Sequence, residues 1–365
     1  MSSVINIGYK MNGLMARLKL NDFLKNMLVC GIIGSGKTNL ITMIAVQLIL
    51  QGVSVWWIDQ SKSDGLPLAR LFPNVHYFQL NRNFLYNPLQ DSPGRTRREI
   101  LSDNIEQFCR DMHLLLGSAT HLTELMSNTQ GYLQSLGNNL AFTYHDVFEL
   151  GQREDMRSRR MSDYHTAVMG RLHYLLNHIG DTLNVHQGFD IMKLAMSSFV
   201  LDMVGHPAEV QRFLVASLIK SLISTRRALG LLTNQLKVCV IFDEANRLFP
   251  KSDELNPVES FPVLSLIAQT AREFGVGLIG ATQTPAFMAS SGLKSQSWIK
   301  SVVGSLGSNE DWYDIGNAMA MTTEQIDWLK THSKVGQAVV KLAGGEFTHP
   351  YLVQVPFLNL KGIDR

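Results

Sequence analysis

The chain has 365 residues, 45% of them hydrophobic and 18% charged, which is enough for one enlarged domain or two average ones with a large core. The net charge of +2 is too small to require a polyanionic partner and does not exclude one. Three distant cysteines, Cys30, Cys109 and Cys239, exclude a disulfide framework and offer no metal-ligand pair, so a reducing cytoplasm is the expected location.

The N-terminal residues mix polar and apolar side chains and contain no secretory signal. The longest apolar run, over 40–50, is about half the length that spans a membrane. We therefore expect a cytoplasmic protein without a membrane span, in which this apolar run forms a buried helix.

The first 90 residues alternate between short apolar strands and helices. Strands are predicted over 26–31, 52–60 and 75–80, and a helix that is apolar almost all round is predicted over 36–51. Near-continuous apolar strands that alternate with helices are typical of a parallel sheet covered on both faces. The predicted fold class is therefore α/β, with a mainly parallel central sheet flanked by helices.

The rest of the chain divides into a helical part and a second α/β part. Residues 91–195 carry apolar side chains at three- and four-residue spacing, which predicts a mainly helical insertion or subdomain. Over 196–365, strands are predicted at 197–205, 236–249, 276–283, 299–305, 336–342 and 348–357, and helices at 207–229 and 265–275. Residues 1–90 and 196–365 are thus expected to form one enlarged α/β domain.

The segment CGIIGSGKTNL at 30–40 contains the spacing G-x-x-x-x-G-K-[ST] between a predicted strand and a predicted helix. Glycines let backbone N–H groups turn inward around phosphate oxygens, and the helix directs its positive end at the same phosphates. Lys37 can reach the β and γ phosphates, and the Thr38 hydroxyl can coordinate Mg²⁺. The candidate nucleotide-binding residues are Gly31, Gly34, Ser35, Gly36, Lys37, Thr38 and Asn39.

A second apolar strand, VCVIFDE, ends in two acids. Asp243 would hold Mg²⁺ through a water molecule, and Glu244 could polarise the water that attacks the γ-phosphate. Kinases and switch GTPases do not need a water-activating glutamate after the metal-binding aspartate. The pair therefore favours an ATPase that uses ATP and Mg²⁺ over a small-molecule kinase.

Other candidates have two open interpretations each. Gln283 ends the strand GLIGATQ and would sense the γ-phosphate if this strand neighbours that of Asp243; otherwise it is a polar strand end. Asp59 could organise the metal or water, or could stabilise a turn. Arg272 and Lys300 could each act on a neighbouring subunit's γ-phosphate, or could be solvated surface charges. The scattered histidines indicate no metal site besides that for Mg²⁺.

Taken in order, the motifs resemble those of the HerA/FtsK superfamily of P-loop pumping ATPases, including its conjugative TraG-like members. The segments that carry the resemblance are GIIGSGKTNL, VSVWWIDQSKSD, VCVIFDEANRLF and AREFGVGLIGATQTP. The resemblance implies a RecA-like fold, with Lys37 and Thr38 binding nucleotide and Mg²⁺, Asp243 and Glu244 as the metal-binding and water-activating acids, and Gln283 as the sensor. About 30 residues precede the loop, so neither an N-terminal barrel nor membrane spans are expected.

The family resemblance also implies what the motor moves. We expect a homo-oligomer, hexameric in form, that translocates double-stranded DNA in the manner of a translocase or helicase; the alternative is an ATPase that powers protein secretion or pilus assembly. A nuclease or a secretion partner is not specified by the sequence. Candidate DNA-tracking segments are RTRR at 95–98, RSRR at 157–160 and SSGLKSQSWIK at 290–300. In the FtsK branch an arginine acting in trans opens the strand after the sensor loop, where this chain has Lys300.

Overall fold

A computed structural model describes residues 3–137, 140–154, 159–251, 263–344 and 349–358. The strands, in chain order, are β1 (Val4–Lys10), β2 (Met15–Lys19), β3 (Met27–Cys30), β4 (Ser54–Asp59), β5 (Val75–Gln79), β6 (Ser198–Asp202), β7 (Thr233–Phe242), β8 (Phe274–Thr282), β9 (Ile299–Val303), β10 (Gln337–Leu342) and β11 (Tyr351–Gln354). The α-helices are α1 (Lys37–Leu50), α2 (Leu66–Leu71), α3 (Arg97–Asp111), α4 (Leu116–Ser135), α5 (Tyr144–Gly151), α6 (Arg159–Leu183), α7 (Ile191–Leu194), α8 (Ala208–Ala228), α9 (Val263–Thr270), α10 (Asn309–Ala318) and α11 (Thr323–His332).

The strands form one eleven-stranded sheet in the order β2-β1-β11-β10-β9-β3-β8-β7-β4-β6-β5. All neighbours from β9 to β5 pair in parallel, whereas β10, β11, β1 and β2 add an antiparallel extension at one side. Strand β8 lies between β3 and β7. The mainly parallel sheet flanked by helices confirms the predicted fold class.

Both faces of the parallel strands are covered, which explains their continuous apolar sequences. Consecutive side chains point to opposite faces, so Trp56 and Trp57 of β4 enter different hydrophobic clusters, and both are buried. One cluster includes side chains of α1 and of the β1–β2 hairpin. The other includes side chains of α8, α9 and the helices between β5 and β6. Two apolar layers therefore sandwich the sheet.

The predicted helical block consists of α3 to α7. Two of its helices, α3 and α5, begin at capping boxes: the Thr96 and Thr143 hydroxyls each accept a hydrogen bond from the N3 backbone N–H, and the acid at N3 accepts one from the threonine N–H. α3 packs against α8, while α4 and α5 both pack against α6. The block thereby adds a second helical layer over one face of the sheet.

Some elements and boundaries differ from the predictions; for example, β7 ends at Phe242 and not at 249. The β1–β2 hairpin and the helices α10 and α11 were not predicted. Gly275 was expected to end a helix, but it lies in β8 with a φ of 71°, and α9 ends five residues earlier at Thr270. Within the described residues, every helix is too short or too polar to cross a membrane.

Candidate nucleotide site

The carboxyl ends of neighbouring parallel strands bring the predicted site residues to one edge of the sheet. Gly31 follows β3, Asp243 and Glu244 follow β7, and Gln283 follows β8. Asp59 ends β4. The loop of 31–36 is fixed at this edge because the Gly31 N–H donates to Thr282 of β8 at 3.2 Å. A crevice of this kind at the carboxyl ends of strands is the usual ligand position in open α/β sheets.

The loop requires glycine at two positions for different reasons. A Cβ on Gly31 would lie 2.4 Å from the Val303 carbonyl oxygen and 2.6 Å from Ser35 Oγ, so no larger residue fits. Gly36 has a φ of 105° and directly precedes α1. The exposed Gly34 also has a positive φ, at 76°. The backbone therefore has the curvature that a phosphate cradle needs, and the amino end of α1 faces the same loop.

The Lys37 ammonium and the Ser35 hydroxyl lie at the loop, and neither forms an ion pair among the described residues. Lys37 is nine-tenths buried, and its Nζ donates to the carbonyls of Gly31 and, at 2.9 Å, Ile32. Burial lowers the pKa of Lys37, and nearby Glu244 acts in the opposite direction. Ser35 Oγ is buried and has no hydrogen-bond partner among the described residues. Phosphate oxygens would satisfy both groups, so the loop fits a nucleotide.

Hard oxygen donors lie next to the loop. The Thr38 hydroxyl donates to Asp64 Oδ2 at 3.2 Å, and the charge of Asp64 also raises the pKa of Asp243. Burial is the main reason that the pKa of Asp243 rises, to about 7. Hydroxyl and carboxylate oxygens are the ligands that Mg²⁺ prefers. Thr38 and Asp243 therefore fit the predicted metal site, and Asp64, which was not selected from the sequence, lies beside them.

Gln283 contacts the acid predicted to activate water. Its Nε2 donates to Glu244 Oε2 at 2.9 Å, because β8 is the direct neighbour of β7. Burial raises the pKa of Glu244, while the bond from Gln283 and the charge of Lys37 oppose the rise. The condition set for a sensor role, that its strand neighbours that of Asp243, is met.

Gln60 links the end of β4 to both acids, and the sequence analysis did not identify it. Its backbone N–H donates to Asp243 Oδ1 at 3.0 Å, and its side-chain Oε1 accepts from the Glu244 N–H at 3.2 Å. Its carbonyl accepts from Gln211 at 3.0 Å and Arg247 at 2.8 Å. The residue is fully buried. The signal in the sequence was a polar residue directly after a buried strand end.

Asp59 and Asn39 serve the protein's own backbone. The Asp59 carboxylate is fully buried and accepts from Trp57 Nε1 at 2.8 Å and from the Gly65 N–H at 3.0 Å. Asp59 thus closes the turn after β4, as the second of its two interpretations proposed. Asn39 donates to the Pro356 carbonyl at 2.9 Å and accepts from the Leu358 N–H at 2.7 Å. Its polar groups hold the C-terminal segment against α1, which leaves a contact with nucleotide as a prediction only.

The two cations considered for a trans-acting role lie in different environments. Lys300 is nine-tenths buried, and its Nζ donates to the Ser297 carbonyl within the same subunit. Arg272 is exposed in the short 3-10 helix that leads into β8. β8 has nine residues, so Arg272 lies about 30 Å from its own loop and cannot reach its own nucleotide. Of the two, only Arg272 has an exposed side chain, and its trans-acting role stays a prediction.

The predicted DNA-tracking segments contain exposed arginines at 98, 159 and 160, but their other described cations are paired or buried. Arg95 pairs with Asp103 at 2.6 Å, and Lys294 is buried against Asp314 at 3.0 Å. Arg97 donates to the Leu89 carbonyl and lies over the Phe142 ring. In the segment 157–160, positions 157 and 158 lie outside the described residues. The interpretation of 290–300 as a basic tracking loop is not supported, because the amines of both its lysines are internal.

No family model and no curated protein matches the sequence. Solved structures match the fold. VirB4 of Thermoanaerobacter pseudethanolicus aligns with a TM-score of 0.71 at 14% identity, over 99% of this chain and 98% of that one. The bacterial conjugative coupling protein TrwBdeltaN70 aligns with a TM-score of 0.68 at 13% identity, over 98% of this chain and 90% of that one. TrwB in complex with ADP and Mg²⁺ aligns with a TM-score of 0.66 at 14% identity, over 97% and 89%.

The chain has the fold of VirB4 and of the conjugative coupling protein TrwB. Identities of 13–14% establish the fold and do not by themselves transfer an activity. The similarity covers nearly the whole chain, including the helical block for which the sequence motifs give no information. The comparisons therefore confirm the predicted α/β fold, and membership of the HerA/FtsK superfamily stays a prediction.

Proposed function

We propose that the protein is an oligomeric motor that hydrolyses ATP with Mg²⁺ and uses the energy to translocate double-stranded DNA. The observation that carries the ATPase part is the 2.9 Å bond between Gln283 and Glu244, beside a loop built for phosphate. A kinase does not need a water-activating acid, such as Glu244, after the metal-binding aspartate. Support for the cargo comes from the fold, which is shared with a plasmid coupling protein.

The residues at the carboxyl ends of the parallel strands have separate roles in hydrolysis. Backbone N–H groups of the loop and the Lys37 ammonium bind the phosphates and offset the charge that develops during cleavage. Bound Mg²⁺, held by Thr38 and Asp243, would supply a further positive charge at the phosphates. Glu244 accepts the proton of the attacking water, and its raised pKa makes it a better base than an exposed glutamate.

Movement of Gln283 would be transmitted into the helices beyond β8. The chain continues into a short 3-10 helix, Pro285–Phe287, whose Ala286 N–H donates to Asp311 of α10 at 3.1 Å. Lys294 donates to both the Pro285 carbonyl and Asp314 of α10. A change at the γ-phosphate therefore has a bonded route from Gln283 to α10.

Protein secretion is the second candidate, and one observation favours it. Arg95, Lys294 and Lys300, which were expected to track DNA, are paired or buried within the subunit, whereas Arg98, Arg159 and Arg160 are exposed. A secretion motor would use the same nucleotide chemistry with a different surface in its channel.

The deciding experiment measures ATP hydrolysis with and without linear duplex DNA, at several salt concentrations, together with particle mass. DNA translocation predicts a several-fold stimulation that weakens as salt rises, because phosphate contacts release counterions. It also predicts a larger particle with ATP and DNA together. An unchanged rate with DNA, in a protein that hydrolyses ATP, would reject the DNA cargo and leave the secretion motor.

A further inference from the structure

Two histidines and a glutamate converge in the helical block, far from the nucleotide site. His121 lies in α4, His165 lies in α6, and Glu154 follows α5. Each offers one ligand atom, and these three atoms lie within 4.8 Å of one another. The histidines are 44 residues apart, so the helical spacing within one segment does not reveal the group.

The separation of the two rings suits a shared metal ion. His121 Nε2 and His165 Nδ1 are 3.0 Å apart. Two ligands held about 2.0–2.1 Å from a tetrahedral zinc ion are about 3.3 Å apart, so a small outward movement of one ring would admit the ion. Glu154 adds the negative charge that a divalent cation requires. Its Oε1 is 3.5 Å from Asn128 Nδ2, at the limit of a hydrogen bond.

The protein's own contacts leave this cluster incomplete. His121 is buried, and its Nδ1 has no hydrogen-bond partner among the described residues. The contact between the rings satisfies one nitrogen of each. A buried imidazole with an unpaired nitrogen costs free energy.

We propose that His121, His165 and Glu154 bind a divalent transition-metal ion, with zinc as the preferred ion and water in the fourth position. Two imidazoles and one carboxylate are a zinc donor set, and they exclude Mg²⁺ and Ca²⁺, which take oxygen ligands. The ion would join α4, the segment after α5 and the first part of α6. It is a structural clip on the helical layer, and it is independent of ATP hydrolysis.

The test uses the full-length protein, stripped of metal by a chelator and dialysed without nucleotide. Zinc content after titration is measured by elemental analysis, and Co²⁺ binding by visible absorption. The variants are His165→Gln and Glu154→Gln, which avoid the buried His121. His173→Gln is the matched control: His173 lies two turns further along α6, exposed, with its ring stacked on Phe148. Retained ATPase activity shows that each variant is folded.

The expected result is one zinc ion per wild-type chain and per His173→Gln chain, an intense four-coordinate cobalt spectrum, and a higher Tm with zinc. Loss of partners that only orient a metal ligand weakens affinity about 10- to 100-fold, so loss of a ligand should weaken it by about 100-fold or more. The proposal is overturned if the wild type retains no zinc. It is also overturned if all variants bind equally, since the ion would then lie elsewhere.

Discussion

Gln283 and Glu244 follow the carboxyl ends of neighbouring parallel strands and share a hydrogen bond of 2.9 Å. The bond joins the acid that would activate water to the residue that begins the route to α10. Glu244 is also close enough to Lys37 for each charge to shift the pKa of the other group. The proposed base, the sensor and the phosphate-binding lysine thus form one interacting group before any nucleotide arrives.

Replacing Glu244 by glutamine should stop turnover and preserve ATP binding. The amide keeps the size of the side chain but cannot accept a proton, and a positioned base contributes about 10²- to 10⁴-fold to the rate. Steady-state hydrolysis and the affinity for a fluorescent ATP analogue measure the two effects. Glu124→Gln, at an exposed position of α4, is the control. Undiminished hydrolysis would show that another group activates the water.

Replacing Gln283 by leucine should shift the pH dependence of kcat. The amide bond of Gln283 favours the ionised form of Glu244, so its loss raises the pKa of that acid. Because the base must be ionised, the acidic limb of the pH–rate profile should move to higher pH. Gln296→Leu, at an exposed position, should leave the profile unchanged. A variant whose rate falls equally at every pH would argue for a sensor role without an effect on the base.

The sequence revealed the parts of the site that depend on local spacing. The loop around Lys37 and the acids after β7 follow from short motifs in one segment, and both lie where the motifs require. The contact between Gln283 and Glu244 depends on strand order, which a single sequence states only as a condition. The hydrogen bonds of Gln60 and Asp64 depend on how the turn after β4 folds back, and the local sequence shows only that a polar residue, Gln60, directly follows a buried strand.

The elements of the fold also divide into those that the local sequence predicts and those that it does not. The strands buried on both faces, such as β3 and β4, were predicted because short continuous apolar runs are typical of parallel strands that are covered on both faces. β1 alternates buried and exposed positions irregularly because the register shifts between Asn6 and Gly8, whereas β2 alternates regularly over only five residues. That irregularity removes the period of two on which a strand prediction relies.

Gln60→Met should reduce both stability and kcat. The substitution keeps the volume and the backbone contacts, but it removes the oxygen that accepts from the Glu244 N–H. Leaving that buried group unpaired costs about 1–3 kcal/mol. Urea unfolding measures the loss, and kcat should fall because Glu244 is no longer held in place. Gln296→Met, which is exposed, serves as the control, and an unaltered kcat in the Gln60 variant would limit its role to stability.

The nucleotide-free protein should lose stability as pH rises from about 4 to about 8. Burial raises the pKa of Asp59 to about 8, well above the value of about 3.9 in an unfolded chain. The folded state therefore holds its proton more tightly, and its stability declines over this interval by up to about 1.4 kcal/mol per pH unit for one such group. Asp59→Asn should show a shallower decline in urea unfolding at pH 5 and pH 8. Equal slopes for the two proteins would show that Asp59 is ionised in the fold.

Arg272 and Lys300 should differ when tested as trans-acting residues. Arg272→Ala should lower kcat by about 10³-fold or more if its guanidinium completes a neighbour's site. Lys300→Met should retain kcat, because the amine is directed into its own subunit.

Mixing Arg272→Ala with Lys37→Ala gives a direct check of sharing between subunits. Some interfaces would then join the intact loop of one subunit to the intact arginine of the other, and hydrolysis should exceed the sum of the separate proteins. A mixture with no gain, in particles shown to contain both variants, would contradict a shared site. A loss confined to Lys300→Met would instead assign the trans-acting role to that lysine and require β9 to rearrange on assembly.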